Sequence, residues 1–179
     1  MRAKVSRRMV IDASVARAAG GKNAVWPLSK ECRDFLINTL DVGHRAVLSP
    51  AVREEWKKHE SSFSRQWRTM MMARKKLVLR EVGEDRHLRA GLEQCTSNQR
   101  HLDAMMKDVH LLEAAHATDN TVISLDDIVR DLFGVAALRV PVLREVVWVN
   151  PGKESAIAWL RRGAPREKQR LLGTSRKAK

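Results

Sequence analysis

Apolar and polar positions along this chain switch between two periods, and each switch marks an element. Met9-Val-Ile is a short apolar run that Asp12 ends, the pattern of a buried strand with an acid at its C-terminal end. Gly20-Gly21 and Trp26-Pro27 then read as a loop. From Ser29 the period becomes helical, with Phe35, Leu36, Ile37 and Leu40 on one stripe and Gly43 near its end. Ala46-Val-Leu-Ser is a second strand, and Ser49-Pro50 with Glu54 and Glu55 a few residues on suits a helix N-terminus. That helix runs through Trp56 and Phe63 to Met70-Met71-Met72 unless Ser61-Ser62 interrupts it.

A third strand follows from Leu77 to Val82, then a weaker helix over 85–95. The clearest helical block begins near Lys107, with Val109, Leu112 and Ala115 or His116 at three- and four-residue spacing and Asp108 in its first turn, where the helix dipole favours a carboxylate. Asp119-Asn120 is a turn, Thr121-Val-Ile-Ser-Leu a fourth strand ended by Asp126, and a short helix through Val129 and Phe133 follows. Val146-Val-Trp-Val is a fifth strand, and a last helix spans roughly 154–162. Short strands separated by helices predict an α/β fold with a mainly parallel sheet.

Composition adds to this picture in two ways. With 179 residues and 44% hydrophobic, the chain has enough apolar matter for one domain with a real core. No apolar run reaches 18 residues and no leader-like apolar region follows the basic start, so a cytoplasmic protein without a membrane span is expected. Cys32 and Cys95 read as two buried thiols rather than a disulfide framework. The second contribution is charge. The formal net charge of +13 suggests a polyanionic partner such as nucleic acid, but it is unevenly spread. Residues 1–8 hold four basic residues and no acid, residues 160–179 hold eight basic and one acidic, and the middle is nearly neutral with 22 basic against 20 acidic.

The acids of that middle stretch fall at significant places. Asp12 ends the first strand, Glu54 and Glu55 open the helix after the second, Asp108 opens a later helix, and Asp126 and Asp127 follow the fourth strand. In a parallel sheet, strand C-termini and helix N-termini share one edge, so these carboxylates are expected to converge. Crowded carboxylates repel unless a cation lies between them, and oxygen donors of this kind suit Mg²⁺ or Mn²⁺. No two of the six histidines, and no histidine and cysteine, form a close ligand pair for zinc. A hard cation on a basic protein points to phosphodiester hydrolysis. A helix cap or a solvated loop is the plainer role for any one of these acids.

Met9-Val-Ile-Asp-Ala-Ser, Leu48-Ser-Pro-Ala-Val-Arg-Glu-Glu-Trp, Lys107-Asp-Val-His-Leu-Leu-Glu-Ala-Ala and Val122-Ile-Ser-Leu-Asp-Asp, in that order, resemble the motifs of PIN-domain nucleases. The resemblance covers about residues 8–150. It implies a three-layer α/β/α sandwich around a mainly parallel sheet of about five strands, with a nuclease domain over 8–160 and a basic, flexible tail over 161–179. It also implies an Mg²⁺- or Mn²⁺-dependent endoribonuclease, either the toxin of a toxin–antitoxin pair or an RNA-processing enzyme. On that pattern Asp12, Glu55, Asp108 and Asp126 form the catalytic pocket, and Asp12, Asp108 and Asp126 hold the metal. Glu54 is the fallback for Glu55, and Asp127 either assists or caps the next helix. Ser14 and Ser124 would orient carboxylates or serve only local turn and cap bonds, and Arg130, one turn past Asp126, would pair with an acid of the pocket or with a phosphate, against a plain surface ion pair. The partners implied are RNA, an antitoxin or another regulatory protein, and a second copy in a homodimer. A basic stripe between Arg53 and Arg80 includes Lys57, Lys58, Arg65 and Arg68 as candidate RNA contacts, with Trp56 and Phe63 assigned to the core.

A catalytically silent RNA- or protein-binding module of the same fold is the alternative. A haloacid-dehalogenase-like phosphatase is disfavoured because Ser14 stands where its second acid belongs, and a receiver domain because Asp12 has no acidic neighbour.

Overall fold

The apolar runs become strands buried on both faces. Met9, Val10 and Ile11 are almost fully covered, as are Ala46, Val47 and Leu48, Val122 and Ile123, and Val147 to Val149. Continuous rather than alternating apolar strands are what a parallel sheet with helices on both sides requires. The structure is a computed structural model that describes residues 6–20, 24–153 and 155–174. Its strands are β1 (Arg8–Ile11), β2 (Arg45–Leu48), β3 (Leu77–Leu79), β4 (Thr121–Ile123) and β5 (Val147–Val149). They form one all-parallel sheet in the order β3-β2-β1-β4-β5. Register aligns Val10 with both Val47 and Val122.

The helices are α1 (Ala13–Ala18), α2 (Leu28–Val42), α3 (Pro50–His59), α4 (Ser62–Ala73), α5 (Arg86–Glu93), α6 (Gln99–His116), α7 (Asp127–Ala136) and α8 (Ala156–Arg161). Helix α2 packs on α1, α4 and α8, while α6 packs on α5 and α7. These two groups cover opposite faces, giving the three-layer α/β/α arrangement expected from sequence. Among the described residues no helix is long and apolar enough to cross a membrane. Cys32 is buried, with its thiol pushed up to about 12 chiefly by burial, and Cys95 is half-buried.

Local chemistry sets the boundaries. Gly43 ends α2 in the left-handed conformation at φ 93°, where its N–H and that of His44 close onto Leu40 and Thr39 carbonyls. Buried His44 then accepts from the Arg7 N–H through Nδ1 and faces the Leu160 carbonyl through Nε2, joining the start of β1 to α8. The helix that starts at 50 ends before Glu60, at the Ser61-Ser62 interruption that the sequence left open, because the Ser61 side chain accepts from the Ser64 N–H and starts α4. The block expected to begin near Lys107 begins two turns earlier, at Gln99. There the Asn98 side chain accepts from the N–H groups of Arg100 and His101.

The loop residues Gly21 and Glu154 lie outside the described residues, as do 1–5 and 175–179 of the basic ends. Of the stretch expected as a basic tail, residues 161–174 are described, and within them Leu171 and Leu172 return to the sheet. Leu171 bridges antiparallel to Val147, Leu172 N–H donates to the Val146 carbonyl, and the Leu172 side chain is buried.

Candidate active site

A parallel sheet in this order has its switch point between β1 and β4, where successive crossovers leave on opposite faces and open a crevice at the strand C-termini. Asp12 follows β1 directly, and its N–H donates to the Ile123 carbonyl at the end of β4. It occupies the N-cap position of α1 yet makes no side-chain cap bond. Instead Asp12 Oδ2 accepts two hydroxyls, Ser14 Oγ at 2.5 Å and Ser124 Oγ at 2.8 Å. Each serine is itself held by backbone: Leu125 N–H donates to Ser14 Oγ and Asp126 N–H to Ser124 Oγ. The β1 and β4 ends are thus locked through one carboxylate oxygen, and hydrogen-bonded supports of this kind orient a metal-ligating acid.

Glu55 is delivered by α3, whose start is set by Ser49 as N-cap and Pro50 in the first turn. The neighbouring Trp56 is buried, and its indole Nε1 donates to the Ile11 carbonyl at 2.7 Å, tying α3 to the residue before Asp12. Trp67 stacks on Trp56 with ring centres 5.9 Å apart. The Glu55 carboxylate is part-exposed and lies 3.7 Å from His59 Nε2. Asp126 caps α7, its Oδ1 accepting from the Val129 N–H. A cap therefore accounts for one oxygen of Asp126 and none of Asp12.

Asp108 corrects the sequence reading most. It does not sit in a first turn, since α6 starts at Gln99, and no helix dipole favours its charge. It reaches the crevice from mid-helix, half-buried beside Val109 and Leu112. Its carboxyl is pushed up to about 6, first by burial and next by the charge of Asp12, with Asp126 and Glu55 adding and Lys107 opposing. Three other acids therefore act on Asp108, and they are the ones expected to converge with it.

The auxiliary residues separate from this centre. Glu54 is exposed and pairs with Lys57 at 2.8 Å, whose hydrogen bond holds its carboxyl below the usual range. Asp127 accepts from Asn150 Nδ2 and pairs with Lys153, both at 3.1 Å, toward β5. Arg130 faces Asp131 at 3.5 Å and the Gln169 carbonyl, so it forms the surface ion pair and no pair with an acid of the crevice. Of the candidate RNA contacts, Arg65 and Arg68 both bond Glu60, Lys57 is taken by Glu54, and Lys58 is exposed. Sequence reading missed Asn150, which joins the Leu125 carbonyl to Asp127, and Lys153. The Asn150-Pro-Gly turn signal after β5 was the one mark of it in the sequence.

The donor set is all hard oxygen, as Mg²⁺ or Mn²⁺ requires, and no arginine neutralises Asp12, Asp108 or Asp126 among the described residues. As the side chains lie, no three His, Cys, Asp or Glu groups among the described residues are close enough to hold a metal ion. No family model matches this chain, and no curated protein or solved structure matches it either.

Proposed function

We propose that this protein is a cytoplasmic metal-dependent endoribonuclease of the PIN type, with Asp12, Glu55, Asp108 and Asp126 as its working acids. The observation that carries the reading is the placement of Asp12. A carboxylate at the switch point, passed over as a helix cap, is braced by two serines and exerts its charge on Asp108 across the crevice. Asp12, Asp108 and Asp126 would hold Mg²⁺ or Mn²⁺, which when bound supplies positive charge beside the phosphodiester. Ser14 and Ser124 fix Asp12, while Glu55, with a part-exposed carboxylate, accepts a proton from an attacking water. RNA is the substrate of this reading. An antitoxin or another regulatory protein, and a second copy of the chain, are the further partners that the PIN resemblance implies, with the toxin role among its possibilities.

The test is cleavage of a defined single-stranded RNA by purified protein with and without Mn²⁺. Turnover should require metal and fall by about 100-fold or more in Asp12→Asn and in Asp108→Asn. Wild-type-like cleavage by both variants would overturn the acid mechanism. The open spacing of the acids favours one second reading, a silent module that binds RNA or protein. It expects salt-sensitive RNA binding and no turnover with any divalent metal.

A further inference from the structure

Beyond the crevice, on the β5 side of the 125–127 segment, lies a cavity of about 750 Å³, within the size range of small-ligand sites. Asn150 lines it and ties the end of β5 to the segment that carries Asp126, its Nδ2 donating to both the Leu125 carbonyl and Asp127 Oδ1. Trp148 lines the cavity. It is 2% exposed, and its indole Nε1 is a buried donor with no hydrogen-bond partner. Trp148 packs on Phe133, with ring centres 5.8 Å apart, and Trp N–H groups that are buried ordinarily find an acceptor.

The rest of the lining says what a ligand of the cavity carries. Arg130, Lys153 and Arg170 supply cationic donors, and Ser155, Asn150 and Gln169 supply neutral polar groups. Two acids, Asp127 and Asp131, also face the cavity. Their hold on the cations is weak: Asp131 is largely exposed, its contact with Arg130 is 3.5 Å, and the Lys153–Asp127 pair is also open to solvent. Exposed pairs of this kind are readily exchanged for a better acceptor. Arg170 differs: it forms a largely shielded ion pair with Glu167 at 2.9 Å, bonds Ser155 and lies over the Trp159 ring, so it shapes the wall and its charge is already matched. Gly152 packs closely on α2, where a Cβ would meet Leu28 Cδ1 at 2.8 Å. A guanidinium and an ammonium whose own acidic partners are exposed, with neutral polar groups beside them, match the several oxygens of a phosphate better than a single carboxylate.

We propose that this cavity binds a phosphate group, held by Arg130 and Lys153, with Arg170 and the Trp148 side chain forming the wall beside it. The phosphate belongs either to a free mononucleotide or to a strand whose neighbouring part lies in the acid crevice. The site does not depend on cleavage at that crevice.

The experiment follows the indole N–H signals of ¹⁵N-labelled protein in metal-free buffer, with the Trp148 signal assigned through Trp148→Phe. Inorganic phosphate, adenosine monophosphate and a hexameric RNA are titrated separately. The Trp148 signal should shift saturably, and the Arg130→Gln/Lys153→Gln double variant should bind about tenfold more weakly or worse. The same shift in Asp12→Asn separates this site from the acid mechanism. Shifts with phosphate and the mononucleotide identify a small ligand; a shift with RNA alone identifies a strand phosphate. No shift with any probe, or unchanged binding by the double variant, overturns the proposal.

Discussion

Two kinds of covered acid exist in this molecule, and they are treated in opposite ways. Glu113 and Glu60 have side chains 5% and 3% exposed, and each is matched by arginine. Glu113 receives Arg89 through two nitrogens and the Asp85 N–H, while Glu60 receives Arg68 through two nitrogens and Arg65 through one. Burial pushes Glu60 up, yet the hydrogen bonds and charge of Arg68 and Arg65 outweigh it and leave its carboxyl below the usual range. Asp108 has no arginine to outweigh its burial, so burial first and then the charge of Asp12, with Asp126 and Glu55 adding and Lys107 opposing, push its carboxyl up to about 6. Glu113 and Glu60 are thus neutralised by arginine, whereas among the described residues no arginine pairs with Asp12, Asp108 or Asp126, and Lys107 alone opposes the shift of Asp108. Acids left without arginine at a sheet switch point are the contrast on which the proposed metal-dependent reading rests.

Breaking the matched acids should cost stability and nothing else. Glu113→Ala leaves Arg89 without its main partner and should lower unfolding free energy by about 3 kcal/mol. Urea denaturation measures this, and activity per folded molecule should stay unchanged. A loss of activity without a loss of stability would erase the distinction between the two kinds of acid.

The serine braces come next. Ser124→Ala removes one hydroxyl from Asp12 and one acceptor from the Asp126 N–H, and should weaken Mn²⁺ affinity or turnover by about 10–100-fold. Ser124→Thr should restore most of it. Equal loss in both variants would mean that the position is sensitive to packing rather than to the hydroxyl.

The smallest effect has a sign that sharpens the contrast. Because the folded-state pKa of Asp108 is raised, folding binds a proton between the unfolded value near 3.8 and about 6, and stability falls as pH rises through that window. Asp108→Asn should therefore stabilise metal-free protein at pH 7 by about 1–2 kcal/mol, allowing for solvent screening. The gain should vanish below pH 4. A variant less stable than wild type at pH 7 would contradict the repulsion inferred for the crevice.

How much of this could be read in advance differs by element. The strands were legible because β1, β2 and β4 are unbroken apolar runs, and Asp12 was placed correctly since a strand end is a sharp signal. Asp108 was brought to the right edge by the wrong route. Gln99, Arg100, His101 and Asp103 hide the first turns of α6 behind a polar face, and the Asn98 cap that starts it is one residue among many polar ones. The division of labour between Asp126 and Asp127 was illegible for another reason. It depends on Asn150, 23 residues beyond Asp127, which turns one of two adjacent acids toward β5. The return of Leu171 and Leu172 to β5 was obscured by the basic charge around them.

Anomalous diffraction from a crystal soaked in Mn²⁺ tests the central claim most directly. The account expects a peak bounded by the carboxylates of Asp12, Asp108 and Asp126, absent in crystals of Asp12→Asn. A crevice that stays without metal at saturating Mn²⁺, or a peak that survives in Asp12→Asn, would contradict it.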